Sequence, residues 1–126
     1  MVQLYNPNIV GKQILLDAKN IDPKKLKLIE NITPVMDKIV QELNLNVDKK
    51  TDHQFEKDGV PYGCTMIYLL AESNLTIHTF VDDGKITLDL FTCNLGIMFE
   101  KLKMFISDYF EINALCITSY HFTRGD

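Results

Sequence analysis

Apolar and polar positions change period several times along the chain, and each change marks an element. Residues 11–18 carry Ile14, Leu15 and Leu16, which predicts a short strand. Leu26, Ile29, Ile32, Met36, Ile39 and Leu43 then recur at spacings of three and four, one stripe of an amphipathic helix. Asp22-Pro23 suits its start, because Asp22 can cap exposed N–H groups and proline fits the first helical position. Pro34 falls inside the stripe and is expected to kink or divide the helix. The helix should end near Asn44, where the chain turns polar. Residues 51–63, punctuated by Gly59, Pro61 and Gly63, read as an irregular connection.

A nearly continuous apolar run over 62–70 predicts a buried strand. Residues 75–80 and 86–93 read as strands flanking Val81-Asp82-Asp83-Gly84-Lys85, where Asp-Gly is a hairpin signal. With Asp83 and Gly84 as the two turn residues, Asp82 faces Lys85, His78 faces Asp89 and Asn74 faces Cys93. After Asn94 and Gly96, the positions Met98, Phe99, Leu102, Phe105, Ile106 and Tyr109 mark a second amphipathic helix. Residues 114–122 read as a last strand. One domain spanning 1–126 accommodates this order. Its economical packing is an α+β two-layer sandwich, a mainly antiparallel sheet with two helices on one face. Tyr and Phe on the other face would favour dimerisation.

Composition narrows the function classes. A hydrophobic content of 46% with 24% charged residues is ordinary for a globular domain. The net charge of −4 argues against nonspecific binding to nucleic acid, and the lysines at 24, 25 and 27 read as a solvated face. No apolar run approaches the ~18 residues of a membrane span, and the N-terminus has no signal-peptide pattern. Cys64, Cys93 and Cys116 have neither metal-ligand nor disulfide-framework spacing, so no metal is expected and a cytoplasmic, reducing setting is the default.

Glu72-Ser73 alone reads as a turn between strands, Cys93 alone as a small hydrophobe at a strand end, and His78 alone as a core histidine paired with Asp89. Hairpin pairing nevertheless brings Cys93 beside Ser73. The same pairing leaves His78 five residues from Ser73, ~16 Å along a straight strand and too far for proton transfer. A fold-back or a bulge would be needed to close that gap.

The set Glu72, Ser73, His78, Thr79, Phe91, Thr92 and Cys93 resembles the bacterial and archaeal S-adenosylmethionine decarboxylase family. Its members carry an E-S-H-x-x-x-H-T segment followed by an F-T-C-G strand end. The likeness extends to Gly11-Lys12-Gln13-Ile14-Leu15-Leu16-Asp17, to His53 and Phe55, and to Arg124-Gly125. It implies self-cleavage between Glu72 and Ser73, with Ser73 becoming a pyruvoyl group in place of pyridoxal phosphate. It further implies that His78 helps remove the Ser73 α-proton, that Thr65 assists processing, and that Cys93 returns a proton to the substrate carbon. Phe55 would stack on the adenine of S-adenosylmethionine, and Glu72 would also contact substrate. Family members of this length pair as dimers with active sites near the interface, and their product supplies aminopropyl groups for spermidine. Four features depart from the family pattern: Asn74 and Gln13 where histidine is usual, Asn94 where glycine is usual, and an apparent insertion at 57–60. Decarboxylation of arginine or ornithine, and an unprocessed regulatory homologue, are the alternatives.

Overall fold

The computed structural model describes residues 9–94 and 99–125. Strand β1 (Ile9–Ala18) is followed by helix α1 (Ile29–Glu42) and by strands β2 (Val47–Lys57), β3 (Val60–Leu70), β4 (Ser73–Phe80) and β5 (Lys85–Thr92). Helix α2 (Glu100–Phe110) and strand β6 (Ile117–Gly125) complete the order. The strands form one sheet, β2-β3-β4-β5-β1-β6, antiparallel at every pairing. Period-two alternation decides which face each side chain joins. Ile14, Leu16, Met66, Tyr68, Ile77 and Leu88 point to the helices and form one core with Ile32, Met36, Leu102 and Phe110. The alternate residues form the opposite face, which no described element covers. Leu69, Phe80, Tyr120 and Phe122 are exposed there. The α+β architecture is therefore as expected, while several boundaries are not.

Asp22 does cap, accepting from the Lys24 N–H at 3.0 Å, but it caps a separate 3-10 turn at Pro23–Lys25. The chain is extended at Leu28, and α1 begins only at Ile29. Pro34 does not divide α1; it sits on the exposed side, where the bond a proline cannot donate is missing next to solvent rather than in the core.

The stretch read as irregular is a hairpin. Asp58 and Gly59 take φ of 53° and 81° between Lys57 and Val60, which pair. A tight turn with two positive φ values is the one that asparagine, aspartate and glycine serve. The apparent insertion at 57–60 is that turn.

The β4–β5 turn holds four residues rather than two, because Val81 is only 5% exposed and belongs to the core. Pairing consequently runs from Phe80↔Lys85 to Asn74↔Phe91, two residues out of the expected register. An even shift keeps every side chain on its expected face. His78 therefore faces Thr87, and Asp89 faces Thr76. At the C-terminal end, a 3-10 turn at Ala114–Cys116 precedes β6. Gly96 and Met98, assigned to the approach and start of α2, lie outside the described residues. Among those described, no helix is long and apolar enough to cross a membrane.

Candidate active site

Ala71 and Glu72 form the tight connection between β3 and β4, since Leu70 pairs with Ser73. Glu72 takes φ 55°, a left-handed conformation that costs a residue other than glycine ~1–3 kcal/mol. Thr92 closes β5 beside this turn, which brings Cys93 across from Glu72. The Cys93 N–H donates to Ser73 Oγ at 3.2 Å, and the Cys93 thiol donates to the Glu72 carbonyl oxygen at 3.0 Å. A hydroxyl, the carbonyl carbon one residue before it and a donor on that carbonyl thus meet on an exposed rim. That is the arrangement an N-to-O acyl shift needs, with a nucleophile beside a polarised carbonyl.

His78 lies elsewhere. Strand β4 runs without a bulge, paired with β3 from Ser73 to His78 and with β5 from Asn74 to Phe80. Its imidazole is therefore ~16 Å from Ser73 within one chain. Neither the fold-back nor the bulge that would close this gap exists. The expected Asp89 partner is replaced by Thr65, directly opposite on β3, with Thr65 Oγ1 2.9 Å from His78 Nδ1. His53 pairs with Thr65 from β2 and packs edge-on to Phe55, ring centroids 4.8 Å apart. Phe55, Thr65 and His78 share one region of the sheet with His53, while Glu72, Ser73 and Cys93 share another.

Gln13, Asn74, Phe91 and Arg124 line a cleft of about 310 Å³ beside the serine. Arg124 Nη1 donates to Gln13 Oε1 at 2.6 Å, closing one side. Cys64 stays inside the core, where burial pushes its thiol up to about 11. No group of three or more metal-ligating side chains occurs among the described residues. Nothing in the residue pattern signals directly that the Cys93 thiol reaches the Glu72 carbonyl. The Thr65–His78 contact follows from the alternation of β3 and β4 once their two-residue connection is known.

Residues 12–124 match a family model described as S-adenosylmethionine decarboxylase. The S-adenosylmethionine decarboxylase proenzyme of Thermodesulfovibrio yellowstonii is 30% identical over 102 residues, covering 81% of this chain and 73% of that protein. The proenzyme of Picrophilus torridus is 37% identical over 84 residues, covering 67% of this chain and 62%, under two thirds, of its own length. The crystal structure of the adenosylmethionine decarboxylase from Aquifex aeolicus is similar with a TM-score of 0.79 at 26% identity, covering 94% of this chain and 93% of that one.

Proposed function

Because this chain belongs to the S-adenosylmethionine decarboxylase family, we propose that it is a self-processing enzyme that removes the carboxyl group of S-adenosylmethionine. The observation that carries the reading is the double contact of Cys93, its N–H on Ser73 Oγ and its thiol on the Glu72 carbonyl. Ser73 Oγ attacks the Glu72 carbonyl carbon, the amide C–N bond breaks, and an ester with a free Ser73 amine results. Loss of the Ser73 α-proton expels the Glu72 carboxylate, and addition of water releases ammonia. Fragments 1–72 and 73–126 remain, the second capped by a pyruvoyl group. That group supplies a carbonyl with which a substrate amine condenses and which withdraws electrons as carbon dioxide leaves. Cys93, on the exposed rim beside Ser73, then protonates the substrate carbon. Glu72, freed as a chain end, and Phe55 contact the substrate.

His78 cannot reach Ser73 of its own chain, so a second copy supplies it. Two sheets stacked through their open faces about a two-fold axis bring Thr65 and His78 of one protomer to Ser73 of the other. Exposed Leu69, Phe80, Tyr120 and Phe122 are the apolar surface such a homodimer would cover. His78 then takes the Ser73 α-proton, oriented by Thr65, and Phe55 of the same protomer meets the adenine. The three cysteines are free, which suits the reducing cytoplasm. The product would serve as an aminopropyl donor for spermidine.

Carbon dioxide release from carboxyl-labelled S-adenosylmethionine, arginine and ornithine tests the assignment. Release from S-adenosylmethionine alone is expected. Release only from arginine or ornithine would overturn the substrate, and none from any of the three would leave a non-catalytic homologue.

A further inference from the structure

Gln54 precedes Phe55 in β2, and its side chain ties three separate segments together. Pairing steps from Gln54↔Cys64 to Glu56↔Pro61, so Tyr62 and Gly63 together oppose Phe55 in a β-bulge. Gly63 takes φ 99°, and a Cβ there would come within 3.1 Å of Thr79 Oγ1. Gln54 Oε1 accepts the Ile29 N–H at 2.7 Å, at the start of α1, where Leu28 offers no capping side chain. Gln54 Nε2 donates to the carbonyls of Lys27 and Gly63, each at 2.7 Å, and lies 3.3 Å from the Phe55 carbonyl. The Gly63 N–H reaches the same Lys27 carbonyl at 2.9 Å. One acceptor and two donors on one planar group is the inventory of an amide. A carboxylate here would set oxygen against oxygen.

Bulges aim neighbouring side chains, and this one lies opposite Phe55. Phe55 is 45% exposed, its ring packed edge-on to His53 on one side. We infer that Gln54 is a positioning residue for adenosine recognition, locking the backbone at Phe55 so that its ring is held ready for the adenine. The inference rests on the proposed function, in which Phe55 receives that base. An anchored ring loses less freedom on binding than one on a loose strand, and the difference appears as affinity.

Calorimetric titration with 5′-methylthioadenosine, an adenosine thioether lacking the amino-acid end, tests this without requiring turnover. Phe55→Ala is expected to weaken binding roughly 5- to 150-fold, the range of base–aromatic stacking. Gln54→Glu, nearly isosteric, is expected to weaken it about 5- to 10-fold with stoichiometry retained. If that variant does not fold, Gln54→Met, which keeps the volume, carries the same expectation. The double variant of Gln54 and Phe55 should bind no more weakly than Phe55→Ala alone, because both act through one ring. Losses that multiply would overturn the route through Phe55. Unchanged affinity in the Gln54 variants beside a loss in Phe55→Ala would overturn this inference alone. Unchanged affinity in Phe55→Ala, or no binding by the wild type, would overturn the adenosine site itself and the inference with it.

Discussion

The Cys93 thiol lies 3.0 Å from the carbonyl oxygen of Glu72, the carbonyl that Ser73 attacks in the self-cleavage we propose. A residue expected to act on the substrate thus already touches the carbonyl at the proposed cleavage site. The left-handed φ of Glu72 places strain at the same linkage.

Removing the Cys93 donor should slow self-cleavage. A thiol is a weak donor, so Cys93→Ala is expected to cost about tenfold, below the range of a full oxyanion donor, and Cys93→Ser to cost less. Fragment appearance over time by denaturing electrophoresis measures this. Equal rates for wild type and Cys93→Ala would show that the contact plays no part in cleavage.

If the site forms between two chains, defects in Ser73 and His78 should complement. Neither Ser73→Ala nor His78→Ala alone should process efficiently. Co-expressed, they form mixed dimers in which one of two sites has an intact serine and an intact histidine. Processing should return at about a quarter of the wild-type sites. No recovery despite mixed dimers would return His78 to a purely structural role.

Much of this site could be read from the chain, and the parts that could not have physical causes. Strands β3, β4 and β5 announce themselves because each buries one face, so apolar residues recur along them. Strand β2 does not, because it is an edge with both faces largely in water and carries Lys49, Lys50, Asp52 and Glu56. Its turn carries the same Asp-Gly pair as Asp83-Gly84, but the polar flanks at 47–57 show no strand pattern for that pair to join. The β4–β5 register slipped because Val81, apolar and next to the turn, belongs to the core rather than to a strand. Cys93 still fell beside Ser73, since a two-residue slip moves partners along the strand without turning them over. The separation of His78 from Ser73 was visible from strand rise alone, but its meaning required the continuous pairing of β4.

The cysteines should differ sharply in reactivity. Cys93 is exposed, whereas Cys64 is buried and its thiol is pushed up to about 11 from 9.0. Limited alkylation at neutral pH, followed by peptide mass analysis, should label Cys93 first and stop decarboxylation. Cys64 should react only after denaturation. Early labelling of Cys64 would contradict the placement of β3.

Tyr68 gives a pH signature remote from the site. Burial pushes its phenol up, reinforced by the hydrogen bond it donates to Asp37 Oδ1 at 2.6 Å. The folded chain therefore keeps a proton that the unfolded chain loses near ~10, so this stability is complete below that pH and is lost as pH rises above it. Burial alone would raise Asp37, but the bonds from Tyr68 and Lys50 outweigh it and hold its carboxyl low, so its smaller contribution fades as acid protonates it. Tyr68→Phe should cost about 0.5–1.5 kcal/mol at pH 7 and flatten the fall of Tm above pH 10. An unchanged alkaline slope would show that Tyr68 is not its source.

Intact mass under denaturing conditions, beside a Ser73→Ala control, tests the central claim most directly. The wild type should resolve into fragments 1–72 and 73–126, the second carrying the mass of a pyruvoyl group in place of its serine. The control should stay whole. A single uncut wild-type species, indistinguishable in behaviour from Ser73→Ala, would contradict self-processing and with it the decarboxylase mechanism.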